Sequence, residues 1–135
     1  MDAVEQMQQR VDGFFPSLLG IRFVTVEPER VVAELDVRRE ICTAPGVMHG
    51  GAVMSLADTL GAAGTIMNLR EGQGTTTMES KTNFFGPAVE GTTLTAECIP
   101  LHRGGRTHVW ETTIRNPAGK MVAKVTQTQM VLEPR

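Results

Sequence analysis

Between Gly50 and Leu69 the chain reads GGAVMSLADTLGAAGTIMNL, a run whose only charged side chain is Asp58. Such a run predicts one long helix that is apolar on nearly every side and must be covered around most of its circumference. A carboxylate in that setting is costly to bury, because desolvation disfavours its charged form. Directly upstream stands Met48-His49-Gly50-Gly51. Two glycines thus open the helix where backbone N–H groups have no intrahelical partner. An acid and a bare donor terminus on one element read as a base and an oxyanion site.

The rest of the composition narrows the class. The 135 residues suit a single domain, residues 1–135, and an apolar fraction of 41% is enough for a packed core. Thirteen basic against fifteen acidic residues leave a net charge of −2, which offers no footprint for nucleic acid or an anionic membrane. Cys42 and Cys98 form no C-x-x-C pair, so neither a disulfide framework nor a metal site is expected, and a cytoplasmic location is. The opening MDAVEQMQQR is polar and holds acids, unlike a secretory signal. The Gly50–Leu69 run approaches the roughly 20 residues that span a bilayer. Its Asp, Ser, Thr, Asn and Gly residues favour the buried helix of a soluble domain instead.

Around that helix the pattern is mostly strand. A short polar helix is expected over Asp2–Val11, with Phe14 and Phe15 anchoring its end. Strands follow over Ile21–Val26 and Val31–Val37, the second placing Val31, Ala33, Leu35 and Val37 on one face. Arg38–Met48 reads as irregular. After the helix come four more strands: Thr75–Phe85, Thr92–Leu101, Thr107–Arg115 and Met121–Leu132. Gly104-Gly105 reads as a two-residue hairpin turn. Tight turns imply antiparallel neighbours. The expected class is α+β, an antiparallel sheet of about six strands wrapped around one central helix.

Eight residues separate Gly50 from Asp58, about 12 Å along a helix axis. One carbonyl cannot touch both groups of the same helix. Joint use of the two requires a second, antiparallel copy, which predicts a two-fold dimer with shared sites.

Each feature also has a plainer reading. Asp58 could be a structural acid bonded to Ser55, Thr59 or the backbone, and Gly50-Gly51 could serve close packing alone. His49 could act as a base or a metal ligand. With only His102 and His108 beside it and no H-x-x-x-H spacing, holding the loop through a ring hydrogen bond fits better. Arg103 and Arg106 flank a hairpin tip and read either as a solvated turn or as a clamp for ligand phosphates. No G-x-S-x-G elbow or nucleotide-binding glycine fingerprint is present.

Val47-Met48-His49-Gly50-Gly51, followed by Ser55-Leu56-Ala57-Asp58, resembles the hotdog-fold acyl-CoA thioesterases of the PaaI-like and 4-hydroxybenzoyl-CoA thioesterase type. Asn83-Phe84-Phe85-Gly86-Pro87-Ala88 is similar to that family's strand-ending segment. The resemblance implies a hotdog fold, an acyl-CoA substrate, no cofactor, and a homotetramer built as a dimer of dimers. It gives Asp58 the role of general base or nucleophile and the Gly50 N–H that of polarising the thioester carbonyl. It places His49, Thr77 and Thr43 in the catalytic set, with Thr77 where a related enzyme carries a water-orienting hydroxyl. Thr43 is a departure, since relatives place Asn or Gln six residues before the histidine. Gly51, Arg103 and Arg106 fall where substrate is bound, the arginines toward the CoA phosphates. Two other classes share the fold: a hydratase or dehydratase acting on acyl thioesters, and a non-catalytic acyl-CoA-binding module.

Overall fold

Alternation along the strands decides which face of the sheet meets the central helix. In a computed structural model describing residues 1–135, the chain begins with α1 (Ala3–Val11) and α2 (Phe15–Leu19). The strands β1 (Arg22–Glu27) and β2 (Arg30–Asp36) follow, then two-residue β3 (Cys42–Thr43) and β4 (Val47–Met48). The long helix α3 (Gly50–Ile66) leads into β5 (Gly74–Phe84), β6 (Thr93–Arg103), β7 (Thr107–Arg115) and β8 (Met121–Leu132). Six strands form one antiparallel sheet in the order β1-β2-β6-β7-β8-β5, while β3 and β4 pair separately. The expected α+β architecture of a six-stranded sheet around one helix is present.

The helix-facing side of the sheet is the core. Val31, Ala33 and Leu35 of β2, Leu94, Ala96 and Cys98 of β6, and Trp110 and Ile114 of β7 are all fully buried there. Large apolar side chains of this kind contribute about 1.5–3 kcal/mol each when removed from water. The helix answers with small residues. An added Cβ at Gly64 would come within 2.8 Å of the Trp110 ring, so glycine there lets the indole lie flat on the helix. The indole Nε1 donates to the Thr65 hydroxyl at 2.8 Å, which satisfies the one polar atom it carries inward.

Several boundaries differ from the sequence reading, each for a local reason. The helix stops at Ile66 rather than Leu69, because the Asn68 side chain donates to the Gly64 carbonyl (2.8 Å) and its N–H to Thr65 (2.8 Å), closing the last turn. Phe14 and Phe15 open the separate helix α2, with Pro16 in its first turn. Part of the stretch read as irregular is ordered by a 3-10 turn over Arg39–Ile41 and the β3–β4 ladder. At the β6–β7 hairpin, Gly104 N–H donates to the Thr107 carbonyl at 2.9 Å. The two tip residues are therefore Gly105 and Arg106, one place later than expected. No helix is long and apolar enough to cross a membrane.

Candidate active site

The outermost strand β5 runs alongside α3, and a bulge in it fixes what faces the helix. Thr77 and Phe84 are an odd number of residues apart, so an unbroken strand would point them to opposite sides. The register with β8 shifts between Thr77 and Glu79, leaving Met78 as the extra residue. Parity is reset. Both Thr77 and Phe84 then face α3, Thr77 at Asp58 and the Phe84 ring 3.3 Å from where a Gly50 Cβ would stand.

Asp58 is held by one contact: the Thr77 hydroxyl donates to its Oδ1 at 2.6 Å. The alternative partners are occupied elsewhere, since Ser55 and Thr59 donate back to the Gly51 and Ser55 carbonyls at 2.7 and 2.8 Å. The expectation of a buried carboxylate is corrected here. In a single chain Asp58 is partly exposed, because the helix side bearing Gly51, Met54, Ser55, Asp58 and Ala62 carries no covering sheet.

At the other end of α3 the donors sort themselves. The His49 carbonyl accepts from Ala52 (2.9 Å) and Val53 (3.1 Å), and the His49 ring Nδ1 accepts from Gly51 N–H at 2.8 Å. His49 is thus the N-cap. Its own N–H donates to the Ile41 carbonyl at 2.9 Å, tying the loop to the helix start. A Cβ on Gly51 would stand 3.0 Å from that Nδ1, which is why a glycine follows. Of the first-turn donors only the Gly50 N–H lacks a partner. The ring hydrogen bond expected of His49 is present, and it leaves Gly50 as the free donor.

The other anticipated residues lie apart from this pair. Thr43 lines a hollow of about 260 Å³ with Arg39, Pro45 and Glu90, and that hollow includes neither Gly50 nor Asp58. Arg103 donates to the Pro28 carbonyl (3.2 Å) and to Asn68 (3.3 Å), bracing the β1–β2 turn against the C-terminal end of α3. Arg106 is exposed, and its side chain makes no hydrogen bond or ion pair. Two further hollows border the candidate groups. One of about 380 Å³ is walled by Phe15, Leu18, Ile41 and Ala52 with His49 and Gly51 at its edge. The other, about 230 Å³, lies between α1 and α3 among Met7, Val11, Phe23 and Ile66, with Asp58 in its wall. Cys42 borders the first, and burial pushes its thiol above the ordinary range, with Glu90 and Glu40 adding to the effect.

Sequence reasoning missed Gln127 and Gln129. Both are buried on the inward face of β8, and Gln129 Nε2 donates to the Thr77 hydroxyl oxygen at 2.6 Å. The signal was available in the alternation, since the two amides continue the face of Ala123 and Val125.

A family profile described as "Thioesterase superfamily" matches residues 45–123, which contain both ends of the Gly50–Asp58 pair. The chain is 31% identical over 102 residues to the proofreading thioesterase EntH of Klebsiella pneumoniae, covering 76% of this chain and 74% of that one. Among solved structures, a thioesterase of Haemophilus influenzae matches at 26% identity with a TM-score of 0.91, covering 98% of this chain and 92% of its own. A Streptococcus mutans protein bound to acetyl-CoA matches at 27% identity and a TM-score of 0.79, over 85% of this chain and 90% of that one.

Proposed function

The chain belongs to the thioesterase superfamily, and from that premise we propose that it hydrolyses an acyl-CoA thioester to the free acid and CoA. The observation that carries the proposal is the pairing of one fixed carboxylate with one free donor on the same helix. Asp58 is pinned by Thr77, and Gly50 N–H is the unpartnered donor of the first turn. The two are about 12 Å apart along the helix, so each serves a different site. In each site the Gly50 N–H and the helix dipole receive the carbonyl oxygen as it gains negative charge. The partner subunit's Asp58 takes a proton from the water that attacks the carbonyl carbon. The tetrahedral intermediate then expels CoA sulfur, which leaves with the proton. In the other route the carboxylate attacks first and the C–S bond breaks, releasing CoA thiolate and giving an anhydride that water cleaves to the free acid and the restored carboxylate.

A two-fold dimer is supported by the edge of the sheet. β5 has a neighbour on one side only, is eleven residues long, and ends in Phe84, 52% exposed, with Phe85, 63% exposed, directly after it. A long edge of this kind is a template for another strand, and a second β5 laid antiparallel would set two α3 helices side by side. Phe14 and Leu18, each 69% exposed, leave further apolar surface for a dimer of dimers. The acetyl-CoA held by the Streptococcus mutans neighbour supports a CoA thioester as ligand. The hollow beside Asp58 offers the acyl group an apolar wall. The Arg103–Arg106 hairpin stands at the C-terminal end of α3, which lies about 12 Å beyond Asp58 by helix rise, where the CoA phosphates would reach Arg106. His49 keeps the donor end in order, while Thr43, in its separate hollow, takes no part in this step. Free thiols at Cys42 and Cys98 are in keeping with the cytoplasm. The thioesterases among the relatives favour hydrolysis over a hydratase or a non-catalytic module.

The test is thiol release from acetyl-, hexanoyl-, palmitoyl- and benzoyl-CoA by the purified protein and by Asp58→Asn. The variant is expected to lose about 100-fold or more in turnover at unchanged oligomeric size. Near-normal hydrolysis by Asp58→Asn would overturn the assignment.

A further inference from the structure

Behind Thr77 lies a chain of buried amides whose direction is set from one end. The carbonyl of Ala57, on α3, can only accept a hydrogen bond. Gln127 therefore turns its Nε2 toward it, at 2.7 Å, and its Oε1 away. That Oε1 accepts from Gln129 Nε2 at 2.7 Å, and the second N–H of the same nitrogen donates to Thr77 Oγ1 at 2.6 Å. The remaining atom, Gln129 Oε1, lies 2.9 Å from the Thr75 hydroxyl. With its oxygen already accepting from Gln129, Thr77 has its one proton left for Asp58 Oδ1.

From this geometry we infer that Gln127 and Gln129 are positioning residues that make Thr77 a committed donor, so that Oδ2 of Asp58 is the reacting oxygen. The inference rests on the reading of Asp58 as the acid of the thioesterase site. Oδ1 faces a hydrogen it cannot displace, because reversing Thr77 would set its proton against the Gln129 N–H. Reversing Gln129 would in turn leave Gln127 Oε1 facing another oxygen. One lone pair of Oδ1 is held by the Thr77 proton, which leaves Oδ2 the less encumbered oxygen to take a proton from water or to attack carbon. Thr77 has no proton left to orient water, which departs from the role that the family resemblance implies for it. The fold is shaped to admit the chain of amides. An added Cβ at Gly61 would lie 2.2 Å from the Gln127 amide carbon, so only glycine on that turn of α3 lets Gln127 reach the helix backbone.

The experiment is a double-mutant cycle on the full-length protein with Gln129→Met and Thr77→Val. Folding is checked by circular dichroism, and kcat and KM are read by thiol release from the four acyl-CoA thioesters named above. Gln129→Met is expected to lower kcat about tenfold with KM within twofold, the scale of one hydrogen bond to a charged group. In the Thr77→Val background the same change is expected to cost nothing further, since Gln129 acts through Thr77. Gln129→Asn keeps an amide that falls short of Thr77 and carries the same expectation if the methionine variant does not fold. An equal loss in both backgrounds, or unchanged kcat beside an inactive Asp58→Asn, overturns the inference while leaving the thioesterase reading intact. Wild-type silence on all four thioesters, or an active Asp58→Asn, overturns that reading and the inference with it.

Discussion

The Gln127 side chain occupies the space where a Cβ on Gly61 would stand, with its amide carbon 2.2 Å from that position. Two effects oppose each other at this site. Replacing a helix-interior glycine by alanine normally stabilises by about 1 kcal/mol. Here the methyl group meets a fully buried amide bonded to the Ala57 carbonyl, so something must shift. Overpacking of this kind costs about 1–3 kcal/mol, and displacing Gln127 adds a broken buried hydrogen bond. Gly61→Ala is therefore expected to be less stable than wild type in a urea titration, and less active. A more stable Gly61→Ala would show that the amide chain gives way freely.

Much of this architecture was legible in residues whose neighbours in sequence decide their fate. The alternation of Val31, Ala33 and Leu35 gave their common buried face, and His49-Gly50-Gly51 marked the helix start. What could not be read depends on partners far along the chain. The Met78 bulge, which turns Thr77 and Phe84 to one side, arises from pairing with β8 some fifty residues away. Apolarity all round α3 implies cover all round, yet one side of the helix is bare in the single chain and Asp58 is partly exposed there. That bare stripe holds Asp58 itself and is the surface the proposed second copy would fill. The amides of β8 were visible as an anomaly in an apolar face, yet their partner Thr77 was not.

His108 makes stability depend on pH. It is 4% exposed, and its ring Nδ1 lies 3.1 Å from the Thr65 hydroxyl. Burial holds its pKa below the ordinary value of 6.5, with the charges of Arg103 and His102 acting the same way and a bond to the Gly104 backbone opposing. The unfolded chain then binds a proton that the folded chain refuses. Stability from this residue is full above about pH 6.5 and is lost as pH falls from there through the folded value. The thermal midpoint is expected to drop between pH 7.5 and 5.5 by more in wild type than in His108→Asn. Equal drops would remove His108 from the effect.

The two thiols should separate by reactivity. Cys98 is fully buried, and burial pushes its pKa up to about 12. Cys42 is only partly covered, and its thiol is raised to a lesser extent. A thiol reagent at pH 8 is expected to modify one cysteine per native chain, slowly, and two after denaturation. Cys42→Ser should abolish the native reaction. Fast labelling of Cys98 in the native protein would mean that β6 opens readily.

The proposed shared sites make a further demand that no single-chain mechanism meets. Gly50→Pro removes the proposed carbonyl donor at the first helical position, where proline is tolerated. The preceding His49, at φ −58° and ψ 136°, already has the extended conformation that a following proline imposes. Gly50→Pro and Asp58→Asn should each be nearly inactive alone. Mixed and allowed to exchange subunits, they form heterodimers in which one site pairs the intact Asp58 of one chain with the intact Gly50 of the other. Random exchange makes half the dimers mixed, each with one good site of two, so about a quarter of wild-type activity should return. The measurement is thiol release from the mixture over time after a brief partial denaturation. If activity stays at the sum of the two parents while exchange is confirmed by mass-tagged subunits, Asp58 and Gly50 do not meet across a dimer.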